Sequence, residues 1–263
     1  MQKKVKNPLK KRLNPILSSR DKNLMLFLWK YRITTFRALK EIFYPEKTFF
    51  QAYYEMRRLR RGEYLCVERL EGTKNIVWML GSRGFKYLVA NLLPELRSKG
   101  FRPQSQYHDL LATAALVGHW CREVPENVKV VSEQELRSLD HELVPGELKE
   151  RDIHKPDGIW IFSDGKKTKA VALEVEISAK TSDRYEQTCA FYASEGFFES
   201  VVWIVKSKPL GQRILDASSR YGQTREGLNL FILQQEFEKH GWDSQFLNKS
   251  MGEASLGEFL NRL

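Results

Sequence analysis

Three carboxylates and one lysine are spaced so that they can meet at one point of a β-sheet. In the predicted strand 170–178 the side chains alternate, so Glu174 and Glu176 share a face, with Cβ atoms about 7 Å apart. Lys180 lies just beyond the end of this strand. Asp157 begins the neighbouring strand of a predicted hairpin, which can bring it beside Glu174. We therefore expect all four side chains to converge at the edge of the sheet.

Such a set suits the hydrolysis of a phosphodiester with the help of a hard cation. Mg²⁺ and Mn²⁺ prefer oxygen ligands, and one or two carboxylates commonly hold them while phosphates and waters complete the shell. The cation lowers the pKa of a water and stabilises charge on a phosphoryl oxygen. A lysine can orient that water or neutralise the charge. The plainer alternative is that Glu174 and Glu176 occupy the solvated face of an edge strand and Asp157 belongs to a Pro-Asp-Gly turn.

The order Pro156-Asp157 followed by Glu174-Val175-Glu176 resembles the PD-(D/E)xK nuclease motif. Glu176 stands where that motif has a lysine. Either Lys180, four residues further on, supplies the lysine from a shifted position, or activity is weakened. The resemblance implies a restriction-endonuclease-like α/β core around these residues.

A wider pattern covers roughly residues 18–235 and begins with a basic part. Its later motifs are Tyr107-His108-Asp109-Leu110, Pro156-Asp157-Gly158, Leu173-Glu174-Val175-Glu176, Lys180 and Arg184-Tyr185. This pattern is similar to the replication-relaxation family and to MobC-type plasmid mobilisation relaxases. The resemblance implies that the basic part recognises double-stranded DNA at a transfer origin or similar site, and that the second part nicks it with Mg²⁺ or Mn²⁺. It also implies partners among other mobilisation proteins or a coupling protein.

The resemblance assigns roles to individual residues. Asp157, Glu174 and Glu176 would be metal ligands. Lys180 would be the electrophilic or water-orienting group. His108 or Asp109 would be a further ligand. From the residues alone, His108 equally suits a helix cap or surface contact, and Glu133 and Glu135 suit an exposed loop. Tyr185 offers a covalent phosphotyrosine route that hydrolysis by water does not need. The 5 histidines are scattered, which argues against the three-histidine relaxase site and favours the carboxylate–metal route.

The first part of the chain predicts three helices followed by a β-hairpin, the order of a winged helix-turn-helix. Helix 47–61 is the candidate recognition helix, with Phe49, Tyr53, Met56 and Leu59 predicted on one side. The predicted DNA-binding residues are Lys47, Arg57, Arg58, Arg60, Arg61 and Lys74. A small helical domain with a solvated or protein-binding charged face is the alternative.

The second part predicts the order α-β-β-β-α-β-α-β, a mixed-sheet α/β domain in a chain that is α+β overall. We expect a basic arm at 1–17, a winged-helix domain at 18–93, a linker at 94–106, the nuclease-like domain at 107–235 and a polar C-terminal tail at 236–263. The three cysteines, Cys66, Cys121 and Cys189, lack the spacing of a zinc site and predict buried thiols in a reducing cytoplasm.

Charge is divided unevenly along the 263 residues. Residues 1–100 contain 23 Lys and Arg against 8 Asp and Glu, whereas residues 101–263 contain 20 against 25. The net charge of +10 is thus the sum of +15 in residues 1–100 and −5 in residues 101–263. This division indicates that the first part binds a polyanion. No apolar run suits a membrane span or a secretory signal. The alternatives to a nickase are a non-catalytic DNA-binding regulator on a degenerate nuclease scaffold, and an endonuclease that cuts both strands.

Overall fold

A computed structural model describes residues 16–92, 102–103, 105–118, 123–138, 154–163, 168–220, 228–247 and 254–263. Its strands form two sheets, one of three strands and one of five. Most of the predicted basic arm, most of the predicted linker at 94–106, and Cys121 lie outside the described residues.

The first group of elements is built on the three-stranded sheet. It comprises α1 (Ser19–Tyr31), β1 (Ile33–Thr35), α2 (Phe36–Phe43), α3 (Phe49–Arg61), β2 (Leu65–Arg69), β3 (Ile76–Leu80) and α4 (Ser82–Asn91). Side chains of Ser18, Thr35 and Thr48 accept backbone N–H bonds at the starts of α1, α2 and α3, which satisfies otherwise unpaired donors. Helices α1, α2 and α3 and the hairpin of β2 and β3 are those predicted. The short strand β1, which pairs with β3, was not predicted.

The buried face of α3 includes only part of the apolar side that was predicted for this helix. Ala52, Met56 and Leu59 are fully buried, whereas Phe49 and Tyr53 are exposed. At 100° per residue, positions 52, 56 and 59 lie within about 60° of arc, while Phe49 and Tyr53 fall on its flank. Phe49, Tyr53, Met56 and Leu59 thus share one side of α3, as predicted, but of these four only Met56 and Leu59 are buried. Both helical faces contain apolar residues, so periodicity alone does not select the one that packs.

The second group of elements is a mixed α/β sandwich, as predicted. It comprises α5 (Gln106–Val117), β4 (Lys129–Ser132), α6 (Glu133–Ser138), β5 (Gly158–Ser163), β6 (Thr168–Glu176), α7 (Ser182–Ser194), β7 (Phe198–Val205), α8 (Lys208–Ser219) and β8 (Asn229–Leu233). The strand order is β4-β5-β6-β7-β8. The first two pairings are antiparallel and the last two parallel. Helix α6 replaces part of a predicted polar loop.

Strand β6 lies at the centre of this sheet, so the edge-strand alternative for its glutamates is wrong. Val171, Leu173 and Val175 pack into the cluster that contains α5 residues. Ala170 and Ala172 pack into the cluster that contains α7 residues. The predicted alternation is confirmed, and it turns the two glutamates of β6 towards α7.

The residues after 233 complete the core. They form α9 (Gln234–His240), a 3-10 helix (Gly241–Asp243) and α10 (Leu256–Asn261). Phe237, Trp242 and Leu260 join the same apolar cluster as α5, and the indole N–H of Trp242 donates to the Ala115 carbonyl at 2.8 Å. The segment predicted as a polar tail at 236–263 thus adds a last helix and contributes apolar side chains to the core. No helix in the described ranges has the length and apolarity needed to cross a membrane.

One buried arginine joins the two groups of elements. Arg32 follows α1 with φ of 62°, in the left-handed region that non-glycine residues rarely adopt. Its guanidinium donates to Glu133 at 2.8 Å and to Gln134 at 3.0 and 3.2 Å, and lies 3.6 Å from Asp109. The end of α1 is thereby fixed against the starts of α5 and α6.

Candidate functional site

Two of the predicted carboxylates, Asp157 and Glu174, open onto a cleft of about 810 Å³ that His108 and Lys180 also line. Hairpin register brings Asp157 to Glu174, because Gly158 pairs with Leu173. The Asp157 backbone N–H donates to the Leu173 carbonyl at 3.0 Å. Its carboxylate accepts the Val175 N–H at 2.7 Å. Asp157 is therefore held beside the end of β6, as the sequence predicts.

Glu174 is buried and held by two side chains that no sequence motif marks. The Tyr192 hydroxyl donates to its Oε1, and His154 Nε2 lies 2.5 Å from the same oxygen. Burial lowers the pKa of His154, but the adjacent Glu174 carboxylate outweighs it and the net shift is upward. Burial and Glu174 raise the pKa of Tyr192. Glu174 thus faces two hydrogen-bond donors.

Glu176 and Lys180 form an ion pair, with Nζ 2.7 Å from Oε2. Burial raises the pKa of Glu176 even though Lys180 opposes the shift. Burial lowers the pKa of Lys180, and the bond with Glu176 reverses that effect and raises it. The ammonium therefore stays charged while it faces the carboxylates. This arrangement suits a lysine supplied from a shifted position.

His108 bridges two aspartates. Its Nδ1 lies 3.0 Å from Asp109 and its Nε2 lies 3.3 Å from Asp157. Burial lowers the pKa of His108, but the two hydrogen bonds outweigh burial and raise the pKa to about 11. An imidazolium has no free lone pair to offer a metal. In this arrangement His108 serves as a cation facing Asp157, whereas the family resemblance implies a ligand.

Tyr185 is poorly placed for nucleophilic attack. Its ring is buried, and its hydroxyl accepts the Lys180 backbone N–H at 2.9 Å. Burial raises the pKa of this phenol, which disfavours the phenoxide that would attack phosphorus. This geometry therefore favours water over Tyr185 as the nucleophile.

Glu133 and Glu135 lie at the start of α6, where they hold the fold together. Glu133 binds Arg32. Glu135 accepts the Ser132 backbone N–H at 2.9 Å and pairs with Lys30 at 3.0 Å. Both carboxylates have partners within the protein. The expectation that they lie in an exposed loop is therefore wrong.

The donor set fits a hard cation in its chemistry. Asp157, Glu174 and Glu176 supply the carboxylate oxygens that Mg²⁺ and Mn²⁺ prefer. Across the described ranges, however, no three His, Cys, Asp or Glu side chains already stand grouped as metal ligands. Glu174 is held by its two donors and Glu176 by Lys180. A cation that binds here must replace some of these contacts.

The predicted DNA-binding cations divide into two sets. Lys47 pairs with Glu55 at 2.9 Å, and Arg58 pairs with buried Asp21 at 2.7 Å. These two side chains are therefore committed to contacts within the protein. The cations whose side chains are exposed are Arg57, Arg60, Arg61 and Lys74.

Comparison with known proteins gives no family assignment. No protein-family model and no curated protein matches the chain. Among solved structures, the restriction endonuclease FokI is similar with a TM-score of 0.30 and 10% sequence identity. The match covers 92% of this chain and 46% of the FokI chain, so this chain spans less than half of that protein. A likeness this weak assigns neither fold nor function.

Proposed function

We propose that the protein binds double-stranded DNA and nicks it in a metal-dependent reaction. The observation that carries the proposal is the meeting of Asp157, Glu174, Glu176 and Lys180 at one end of β6. Three carboxylates beside a charged lysine suit phosphodiester hydrolysis better than they suit a structural role. The proposal includes the role in plasmid mobilisation that the resemblance to replication-relaxation and MobC-type proteins implies.

Asp157 and Glu174 would hold the cation, and Glu176 would complete the carboxylate set. When bound there, the cation would supply a water of lowered pKa and would offset charge on the phosphoryl oxygen. The Lys180 ammonium stabilises the charge that develops during attack. His154 and Tyr192 hold Glu174 Oε1 in place, so the orientation of this carboxylate is fixed by the protein.

For the first part of the chain we propose a winged helix-turn-helix at 18–93, with α3 as its recognition helix. The order α1-β1-α2-α3-β2-β3 and the sheet order β1-β3-β2 support this proposal. In such a unit the recognition helix enters the major groove and the hairpin lies along the backbone. Lys74, in the turn between β2 and β3, would then contact phosphate.

The test is the conversion of supercoiled plasmid on one gel. The plasmid carries a site that the protein has selected from a random duplex pool. We expect nicked circles with Mg²⁺ or Mn²⁺ and none with EDTA. Linear product at the same rate would contradict nicking and favour an enzyme that cuts both strands. Binding without any cleavage would contradict the enzymatic proposal.

A non-catalytic DNA-binding regulator is the second candidate. Two observations favour it: Glu176 replaces the lysine of the motif, and Glu174 already has two donors. Calorimetric titration with Mn²⁺ separates the candidates. Binding that disappears in the Asp157→Asn variant supports the enzyme, and the absence of carboxylate-dependent binding supports the regulator.

We expect the Tyr185→Phe variant to retain nicking within about tenfold of the wild type. The reason is that the phenol is buried and bonded to the Lys180 N–H, so a water is the better nucleophile. Nicking rates measure the effect, and a denaturing gel of labelled DNA detects any covalent adduct. An adduct with the wild type that Tyr185→Phe abolishes would establish the covalent route instead.

We expect the double variant Arg57→Glu and Arg61→Glu to bind duplex DNA at least about tenfold more weakly, with a shallower dependence on salt, because fewer phosphate counterions are released. Affinity titrations at several salt concentrations provide the measurement. The control is Lys206→Glu with Arg220→Glu, which changes the net charge equally at exposed positions of the second group. Equal losses in both double variants would show that only bulk charge matters.

A further inference from the structure

Helix α3 exposes four aromatic side chains. Phe49 and Tyr53 contact Phe36, and the other two are the most exposed of the four. Phe50 is 86% exposed and Tyr54 is 69% exposed. They stand one helical turn apart, so their rings lie on one line along the helix. Contiguous exposed apolar surface is a feature of interaction sites.

The two rings lie opposite the packed side of α3. Ala52, Met56 and Leu59 define that packed side. At 100° per residue, four residues lie within about 60° of each other on the opposite side of the helix. This outer side of α3 is formed by Phe50, Tyr54, Arg57 and Arg61. We name these four residues the outer stripe; it is apolar towards the start of α3 and cationic towards its end.

Charge identifies the kind of partner that the outer stripe fits. The two carboxylates nearest the aromatic pair are already neutralised: Glu55 pairs with Lys47 at 2.9 Å, and Glu46 pairs with Arg20 at 3.0 Å. The stripe itself adds the exposed Arg57 and Arg61. A surface with neutralised acids and free cations complements a polyanion. Duplex DNA therefore fits it better than a second protein chain does.

In a recognition helix, the side facing away from the core meets the floor of the groove, and its N-terminal residues reach the base edges. Phe50 is the second residue of α3. Its phenyl ring has no polar atom to pair with base donors or acceptors. The C5-methyl of thymine is the apolar group that the major groove displays.

We propose that Phe50, assisted by Tyr54, contacts thymine methyl groups, so that α3 reads a thymine-containing site in the major groove. This inference rests on the DNA-binding part of the proposed function and is independent of cleavage. Tyr54 adds a ring and a hydroxyl one turn further along. Arg57 and Arg61 supply the charge that holds the helix in the groove.

The experiment replaces thymine by deoxyuridine, which removes the methyl and keeps every hydrogen bond of the base pair. The probe is the duplex site selected by the wild type, with each thymine replaced in turn. We expect at least one replacement to weaken binding about fourfold, corresponding to about 0.8 kcal/mol for one buried methyl. The Phe50→Ala variant should bind the thymine duplex and the deoxyuridine duplex equally. The Tyr54→Ala variant should show a smaller difference in affinity between these two duplexes than the wild type does.

The control variant is Leu247→Ala, which truncates an exposed apolar side chain in the segment after the 3-10 helix and should retain the full discrimination. Equal wild-type affinity for thymine and deoxyuridine at every position would overturn the inference while DNA binding stands. Discrimination that survives Phe50→Ala would overturn the assignment to this residue. A wild-type dimer that Phe50→Ala dissociates would show a protein interface instead. No salt-dependent duplex binding at all would overturn the proposed function itself.

Discussion

Nicking should fall by at least about 100-fold in both the Asp157→Asn and the Glu174→Gln variants. Each change removes one negative charge from the proposed cation site, and groups that stabilise charge in the transition state are worth this much. Both substitutes keep an acceptor oxygen for the existing donors, namely the Val175 N–H at Asp157 and the Tyr192 hydroxyl at Glu174. The measurement is the rate of conversion of supercoiled to nicked plasmid with Mg²⁺.

The matched control is Glu199→Gln, which neutralises a carboxylate that pairs with Lys169 outside the cleft. It should nick at the wild-type rate. Thermal unfolding of each variant checks that the loss of activity does not follow from loss of the fold. Full nicking by both Asp157→Asn and Glu174→Gln would refute the assignment of the active site.

The Arg32→Ala variant should lower the free energy of unfolding by about 3–5 kcal/mol. Arg32 is buried and contacts Asp109, Glu133 and Gln134, so its loss takes a cation from two carboxylates and both guanidinium donors from the Gln134 oxygen. Denaturant unfolding followed by circular dichroism measures the loss. The Arg32→Gly variant relieves the left-handed backbone and should be less destabilised than Arg32→Ala.

Arg137 offers a control on the same carboxylate. It also binds Glu133, but its side chain is 48% exposed, so Arg137→Ala should lower the free energy of unfolding by less than about 1 kcal/mol. Similar losses for Arg32→Ala and Arg137→Ala would show that burial does not set the strength of these contacts.

Much of the candidate site could be predicted because it depends on local rules. Alternation within one strand places Glu174 and Glu176 on one face. A hairpin between adjacent segments places Asp157 beside Glu174, and the observed register does so through Gly158 and Leu173. Lys180 follows within one short turn of the chain. Each of these three placements depends on a few neighbouring residues or on one strand pairing.

The rest depends on contacts that no local pattern encodes. Tyr192 meets Glu174 because α7 packs across β6, and His154 is a single histidine with no period to mark it. Its only signal is its position three residues before Asp157. Arg32 meets Glu133 across 101 residues of sequence. The exposure of Phe49 depends equally on which side of α3 the sheet covers.

The packing of Trp242 on Ala115 has a consequence for biosynthesis. All five strands of the mixed sheet leave the ribosome before Phe237, Trp242 and Leu260, which complete one of its apolar faces. Until those residues emerge, the growing chain presents incompletely covered apolar surface, the condition under which nascent chains aggregate or engage chaperones. This apolar face of the sheet is thus covered only once residues 234–263 have been synthesised.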